Sequence, residues 1–274
     1  MEIIFSRILF IKYRLINKMK KFLQNIIRFI NVTLFKKSLP NKISIYFHEI
    51  NEEEIKSIRE IISYFSELDY KFVTTEYFAK NINNDEKLFN FSFDDAFSSW
   101  IDILDTFEEK NVKATFYLNT IQFTNENQDK FMSDIRVQDR NLLLSKEELI
   151  KIKSYGHEIG AHTHSHLTLS NLKNETFEYE VITNLNHLYT MGITPTSFAI
   201  PFGMRRLVTQ NQLEFLMNKF QAICFGEPGM QFNQQKKIIQ RCPWKSDKSF
   251  AYNITNLRTD TSFFNKLTKR SGLG

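Results

Sequence analysis

Ten residues, His157-Glu-Ile-Gly-Ala-His-Thr-His-Ser-His166, hold four of the six histidines in the chain. His162, His164 and His166 alternate with Thr163 and Ser165. An extended segment would put all three on one face, whereas a helical turn would pair His162 with His166 at i, i+4. Either geometry brings two imidazoles onto one cation, so the stretch reads as part of a metal site. Asp94 and Asp95 follow the aromatic run Leu88-Phe-Asn-Phe-Ser-Phe93. Adjacent carboxylates at the end of an apolar strand must be paired or bound to something. Two histidines and one carboxylate make a three-ligand set with room for water, the pattern of a catalytic zinc site rather than a structural one. The second Asp can then act as a base towards that water. A plainer use of Asp94-Asp95 is to cap the helix that follows.

Strands alternating with helices must position these groups. Ile43-Ser-Ile-Tyr-Phe47 reads as a strand ending in His48, and further strands are predicted over 70–74, 88–93, 113–118, 157–161, 196–200, 220–225 and 237–241. Helices are predicted over 52–68, 97–110, 175–191 and 207–218, and in the tail from Asp247. Another starts at Ser145-Lys-Glu-Glu148, which has capping-box spacing, and stops at Gly156. Residues 121–141 are polar and read as a loop. This alternation argues for a parallel sheet, and about seven such units argue for a closed α/β barrel. In such barrels the residues at strand C-termini build the active site, and His48, Asp94-Asp95 and the histidine cluster all fall there.

With 274 residues, 42% of them hydrophobic, the chain suits one large domain. Cys224 and Cys242 are the only cysteines, so no disulfide framework holds the fold. The charge is uneven. Residues 1–37 contain nine of the 36 Lys/Arg and one of the 31 acids, a local charge of +8, and the remaining 27 bases and 30 acids give −3. A slightly acidic body argues against nucleic acid as a partner. In the arm, Ile8, Ile11, Leu15, Met19, Phe22, Ile26 and Ile30 recur at helical steps of three or four. The longest apolar run, Ile8-Leu-Phe-Ile11, falls far short of the ~20 residues that span a bilayer, and Lys12 cuts it too soon for a secretory leader. The pattern fits a basic amphipathic helix lying on an anionic membrane surface through residues 1–35. The expected organisation is an arm over 1–39 and a barrel over 40–274, in the cytoplasm or peripheral on the inner face of the cell membrane.

Several motifs resemble one family. Ser92-Phe-Asp-Asp-Ala96 is similar to the (S/T)FDD(G) motif of the NodB-type polysaccharide deacetylases, carbohydrate esterase family 4. The histidine stretch resembles their E-I-(G/A)-x-H-(S/T)-x-(S/T)-H motif, and Ser197-Phe-Ala-Ile-Pro-Phe-Gly203 resembles F-A-Y-P-x-G. Ile45-Tyr-Phe-His48 is similar to a segment of the branch with an N-terminal catalytic His. The resemblance implies a distorted (β/α) barrel and an N-acetyl amino sugar substrate in a polysaccharide or glycolipid. It implies Asp95, His162 and His166 as ligands of a divalent metal, zinc by its donor set, with Asp94 as general base. It makes His164 a bystander. The backbone amide of Phe202, after Pro201, becomes the oxyanion donor. No histidine follows His187, and the resemblance to the branch with an N-terminal catalytic His implies His48 as the general acid. Arg241, in Arg-Cys-Pro-Trp244, resembles an R-x-P segment and is a candidate to orient Asp94.

Four departures stand beside this. Ala96 replaces the usual Gly, the late Leu-x-His motif is missing, the Arg that often precedes the third motif's prolines is absent, and so is D-x-x-D-W. Two other readings use the same residues. One is an amidohydrolase-type hydrolase with a His162-x-His164 metal pair; the other is a non-catalytic, carbohydrate-binding barrel of the same family. The arm has its own test. Flotation with anionic liposomes is expected for the full chain and should be lost on deleting residues 1–35; no binding by the full chain would reject membrane contact.

Overall fold

A computed structural model describes residues 38–227, 229 and 231–259, together with eight positions between 18 and 30. Most of the basic arm and residues 260–274 lie outside the described residues. The strands are β1 (Lys42–Phe47), β2 (Lys71–Phe72), β3 (Leu88–Phe93), β4 (Ala114–Leu118), β5 (Glu158–Ala161), β6 (Ser197–Ala199), β7 (Ala222–Phe225), β8 (Ile238–Gln240) and β9 (Cys242–Pro243). The helices are α1 (Glu52–Glu67), α2 (Thr75–Lys80), α3 (Leu104–Glu109), α4 (Asp129–Asp134), α5 (Lys146–Ser154), α6 (Asn174–Thr190), α7 (Gln210–Lys219) and α8 (Phe250–Leu257).

The sheet runs β8-β7-β6-β5-β4-β3-β1-β9 with every pair parallel, and β2 adds to the start of β3. Eight strands lie along this path where about seven were expected. The reason is local. β8 and β9 are one stretch interrupted at Arg241, the first part pairing with β7 and the second with β1. The two ends of the path meet at that residue, and the barrel is nearly closed.

Alternation divides the strands between two environments. Ile43, Ile45, Phe47, Phe89, Phe91 and Phe93 face outward into one apolar layer with Ile58, Ile61 and Phe65 of α1. Ser44, Asn90 and Ser92 occupy the intervening positions, and all three are fully buried. Each outward Ile or Phe stabilises the fold by roughly 1.5–3 kcal/mol. A one-residue slip would exchange that set for the polar one, so the register is strongly held. Ser44 Oγ donates to Asn90 Oδ1 at 2.7 Å, and Tyr117 OH donates to Thr75 Oγ1 at 3.0 Å.

Three local features differ from the sequence reading. α2 was not foreseen; it carries the buried Phe78 against Leu88, Ala222 and Ile239, at the end of the barrel where the strands begin. The 121–141 loop contains α4. The helix predicted over 97–110 is a 3-10 helix, Ser98–Ile103, followed by α3.

Gly160 has no room for a side chain. A Cβ there would overlap the Tyr117 ring and meet Ser197 Oγ at 3.0 Å. Gly160→Ala should therefore destabilise the protein by about 1–3 kcal/mol, read as a lower urea midpoint at unchanged slope.

Candidate metal centre and catalytic cleft

Asp94 and Asp95 directly follow β3, and the loop that carries the histidines follows β5. These strands are separated only by β4, so the two motifs meet at one end of the barrel. Ligand atoms of Asp95, His162 and His166 all lie within 4.8 Å of one another. His162 Nε2 and His166 Nε2 are each 3.2 Å from Asp95 Oδ1. Donors about 2.1 Å from a tetrahedral cation would stand about 3.3–3.4 Å apart. His162 Nδ1 lies 2.8 Å from the Ala199 carbonyl, which can only accept, so the proton sits on Nδ1 and the Nε2 lone pair points at the cluster. His162 Nε2 and Asp95 Oδ1 are buried without a hydrogen-bond partner. Two buried, unsatisfied acceptor atoms 3.2 Å apart fit a cation.

Electrostatics within this cluster pull both ways. Burial pushes the His166 imidazole down to about 4, against the attraction of Asp95. Burial likewise opposes charge on His162, but its contacts with Asp95 and Asp94 outweigh this and raise its pKa. Burial also works against the Asp95 anion, yet the surrounding histidines hold its carboxyl well below the usual range. The carboxylate stays ionised and the histidines share its field.

His164 turns away. Its Nδ1 lies 3.0 Å from Thr120 Oγ1 and its Nε2 3.1 Å from Glu126 Oε1, while its ring stacks on His187 at 5.4 Å. Both nitrogens are engaged outside the cluster, so the His162-x-His164 pairing has no geometric support.

Asp94 is held by Arg241. Nη1 and Nη2 donate to Oδ1 and Oδ2 at 2.7 and 2.8 Å, and Nη1 also donates to Ser92 Oγ at 3.1 Å. The guanidinium lies 4.8 Å from the Tyr46 ring centroid and 5.2 Å from that of Tyr117. Arg241 is fully buried. Burial alone would raise the Asp94 pKa; the Arg241 charge and hydrogen bonds overcome this and lower it.

His48 stands at the mouth, its side chain 53% exposed and its Nε2 3.8 Å from Asp95 Oδ2. Its backbone is pinned by the buried Trp100, whose Nε1 donates to the His48 carbonyl at 2.8 Å. Trp100 lies in the 3-10 helix Ser98–Ile103. Pro201 and Phe202 form a turn after β6, and Phe202 has φ 60°. No hydrogen bond among the described residues takes the Phe202 N–H. Gly203 follows with φ 71°, and a Cβ on it would meet Gly226 backbone at 3.0 Å, so only glycine fits both demands. The Phe202 ring lies 4.6 Å from that of His166.

These groups line one cleft of about 520 Å³. Sequence reasoning missed Asp134, Ile135 and Arg136, which form one wall of it. The signal was there: Phe131 and Ile135 are one helical turn apart, and Lys130 pairs with Asp134 at 2.7 Å with i, i+4 spacing. Burial pushes the Cys224 thiol up to about 12, so no thiolate nucleophile is available from it.

Comparison with known proteins agrees with this architecture. The family model for polysaccharide deacetylase matches residues 81–218. Over 121 residues the chain is 31% identical to chitin deacetylase 1 of Cryptococcus neoformans, covering 43% of this chain and 22% of that protein. It is 30% identical over 116 residues to the peptidoglycan-N-acetylglucosamine deacetylase of Bacillus cereus, covering 41% of this chain and 34% of that one. The chain thus spans about a third or less of the curated relatives it matches. Among solved structures, the Streptococcus pyogenes deacetylase PplD in complex with acetate superposes with TM-score 0.60 at 15% identity, over 80% of this chain and 99% of that one. The Bacillus cereus polysaccharide deacetylase BC0361 gives TM-score 0.61 at 15% identity, over 78% of this chain and 68% of that one. At such identities the structural likeness concerns the barrel fold. With half of its length matched by the family model, the chain belongs to the polysaccharide deacetylase family.

Proposed function

We propose that the protein removes N-acetyl groups from amino sugars of a polysaccharide or glycolipid by metal-assisted amide hydrolysis, with zinc as the cation. The observation that carries this is the convergence in one cleft of a two-His, one-Asp donor set and a second carboxylate fixed beside it. A cation held by Asp95, His162 and His166 would supply the positive charge that polarises an amide carbonyl and acidifies water.

The chain's own residues do the rest. Asp94 takes a proton from the attacking water, and Arg241 fixes the direction from which it does so. The Phe202 N–H donates to the oxygen that gains negative charge as the carbonyl becomes tetrahedral. His48, exposed to the cleft mouth, protonates the departing amine so that acetate and a free amino sugar leave. Two adjacent carboxylates take different roles because their partners differ: histidines for Asp95, a guanidinium for Asp94.

The arm supports a seat on an anionic bilayer. At its described positions Met19, Phe22 and Phe29 are 58%, 65% and 64% exposed. Apolar side chains at that spacing, in a segment of charge +8, suit a headgroup region. Among the described residues no helix is long and apolar enough to cross a membrane. On this reading the enzyme works in the cytoplasm or at the inner face of the membrane, on a glycan or glycolipid held there.

Metal analysis and acetate release from a panel of N-acetylated amino sugars test the assignments together. Asp95→Asn, His162→Ala and His166→Ala should each lose bound zinc, whereas His164→Ala should keep it. Asp94→Asn should keep zinc and lose activity. His48→Ala should keep zinc and turn over about 10²-fold more slowly. Acetate release that persists in Asp94→Asn would reject Asp94 as the base.

A further inference from the structure

The loop between the two histidine ligands is strained. Thr163 and His166 have φ 65° and 61°, the left-handed region that costs a non-glycine residue about 1 kcal/mol or more. Such a conformation persists only where its surroundings over-determine it. Here α6 does so. Asn184 Nδ2 donates to the Thr163 carbonyl at 2.7 Å and also to the Leu118 carbonyl at 3.0 Å, tying the loop to the end of β4. One turn earlier, the Glu180 carboxylate accepts from Ser165 N at 2.8 Å and from Ser165 Oγ at 2.6 Å, and the Glu180 carbonyl accepts from His164 N at 3.0 Å.

Glu180 is 3% exposed and Asn184 fully buried. Among the described residues the Glu180 carboxylate forms no ion pair, and its donors all come from Ser165. A buried carboxylate without a cation is costly. An uncharged residue would fill the helix position at lower cost, so packing alone does not account for it. Neither residue touches the cleft, and neither carries chemistry.

We propose that Glu180 and Asn184 are positioning residues that set the separation and aim of His162 and His166, and so tune cation affinity. This rests on the metal reading above. Thr163 passes the restraint on, since its Oγ1 accepts from His166 N at 3.0 Å. The grip is made in the loop backbone, so it acts on both imidazoles at once.

The test is zinc affinity of the full chain, measured by competition with a chromophoric chelator and set beside urea midpoints. Glu180→Ala and Asn184→Ala should each weaken zinc binding by about 10- to 100-fold. Ser165→Ala, a small change on the loop side, should weaken it in the same direction. Glu180→Gln, which keeps an acceptor for the Ser165 amide, should recover part of the loss. Leu188→Ala, in the core face of the same helix, should lower the midpoint and leave zinc affinity within a few-fold of wild type. Wild-type affinity in both alanine variants, or an equal loss in Leu188→Ala, would overturn the inference. Failure of the unaltered chain to take up zinc would instead overturn the metal reading beneath it.

Discussion

A guanidinium sealed inside a barrel must be neutralised where it lies, and Arg241 is neutralised by Asp94. Moving either ion out of water costs several kcal/mol, and leaving one without the other costs about 3–5 kcal/mol. Good geometry and extra hydrogen bonds can offset such costs. This pair has both, with Ser92 and the faces of two tyrosines completing its surroundings. Arg241 also sits where the last stave splits between β7 and β1. Closure of the barrel and placement of the proposed base are therefore one interaction. Its pH dependence has a definite sign. Asp94 binds its proton more weakly folded than unfolded, so the stability it contributes is complete above about pH 3.9, the unfolded value, and is lost as pH falls through the lower folded value.

Backbone strain gathers at the same end. Asp95, Ala96, Thr163, His166 and Phe202 all take positive φ without being glycine. Ala96 stands where the motif it resembles has Gly, and its φ of 56° is one that glycine adopts at least cost. The strain is offset by buried hydrogen bonds: Leu144 N to the Ala96 carbonyl, Asn119 to the His162 carbonyl, and α6 to the histidine loop. In the proposed mechanism, the lowered pKa makes Asp94 a weaker base, so a cation held beside it would have to acidify the attacking water.

Much of this was legible in the chain, and for physical reasons. The run 88–93 alternates aromatic and polar residues, and that pattern has one strand register whose reversal would bury the wrong face. The Asp94-Asp95 and His162/His166 pairs stood out because charged or ligating groups rarely follow apolar strands without a partner. α2 and α4 are six residues each, so a single turn of i, i+4 spacing, such as Lys130 with Asp134, is all the helical period they can show. The burial of Arg241 was invisible for another reason: its partners lie on strands far away in sequence, and nothing local marks the residue as enclosed. Glu180 and Asn184 looked like ordinary polar positions on a helix, and only the loop they grip reveals them.

The stopper formed by α2 has a consequence for how a long substrate is handled. Phe78 packs with Leu88, Ala222 and Ile239 at the end where the strands begin, opposite the cleft. No sugar chain can be threaded through it. A polymer of the kind proposed above would lie across the mouth and turn one residue inward, and the freed amine would leave by the way it entered. Each unit is then met from the side, so the spacing of modified sugars along a strand would reflect which units can be turned towards the barrel rather than the order in which a channel would feed them.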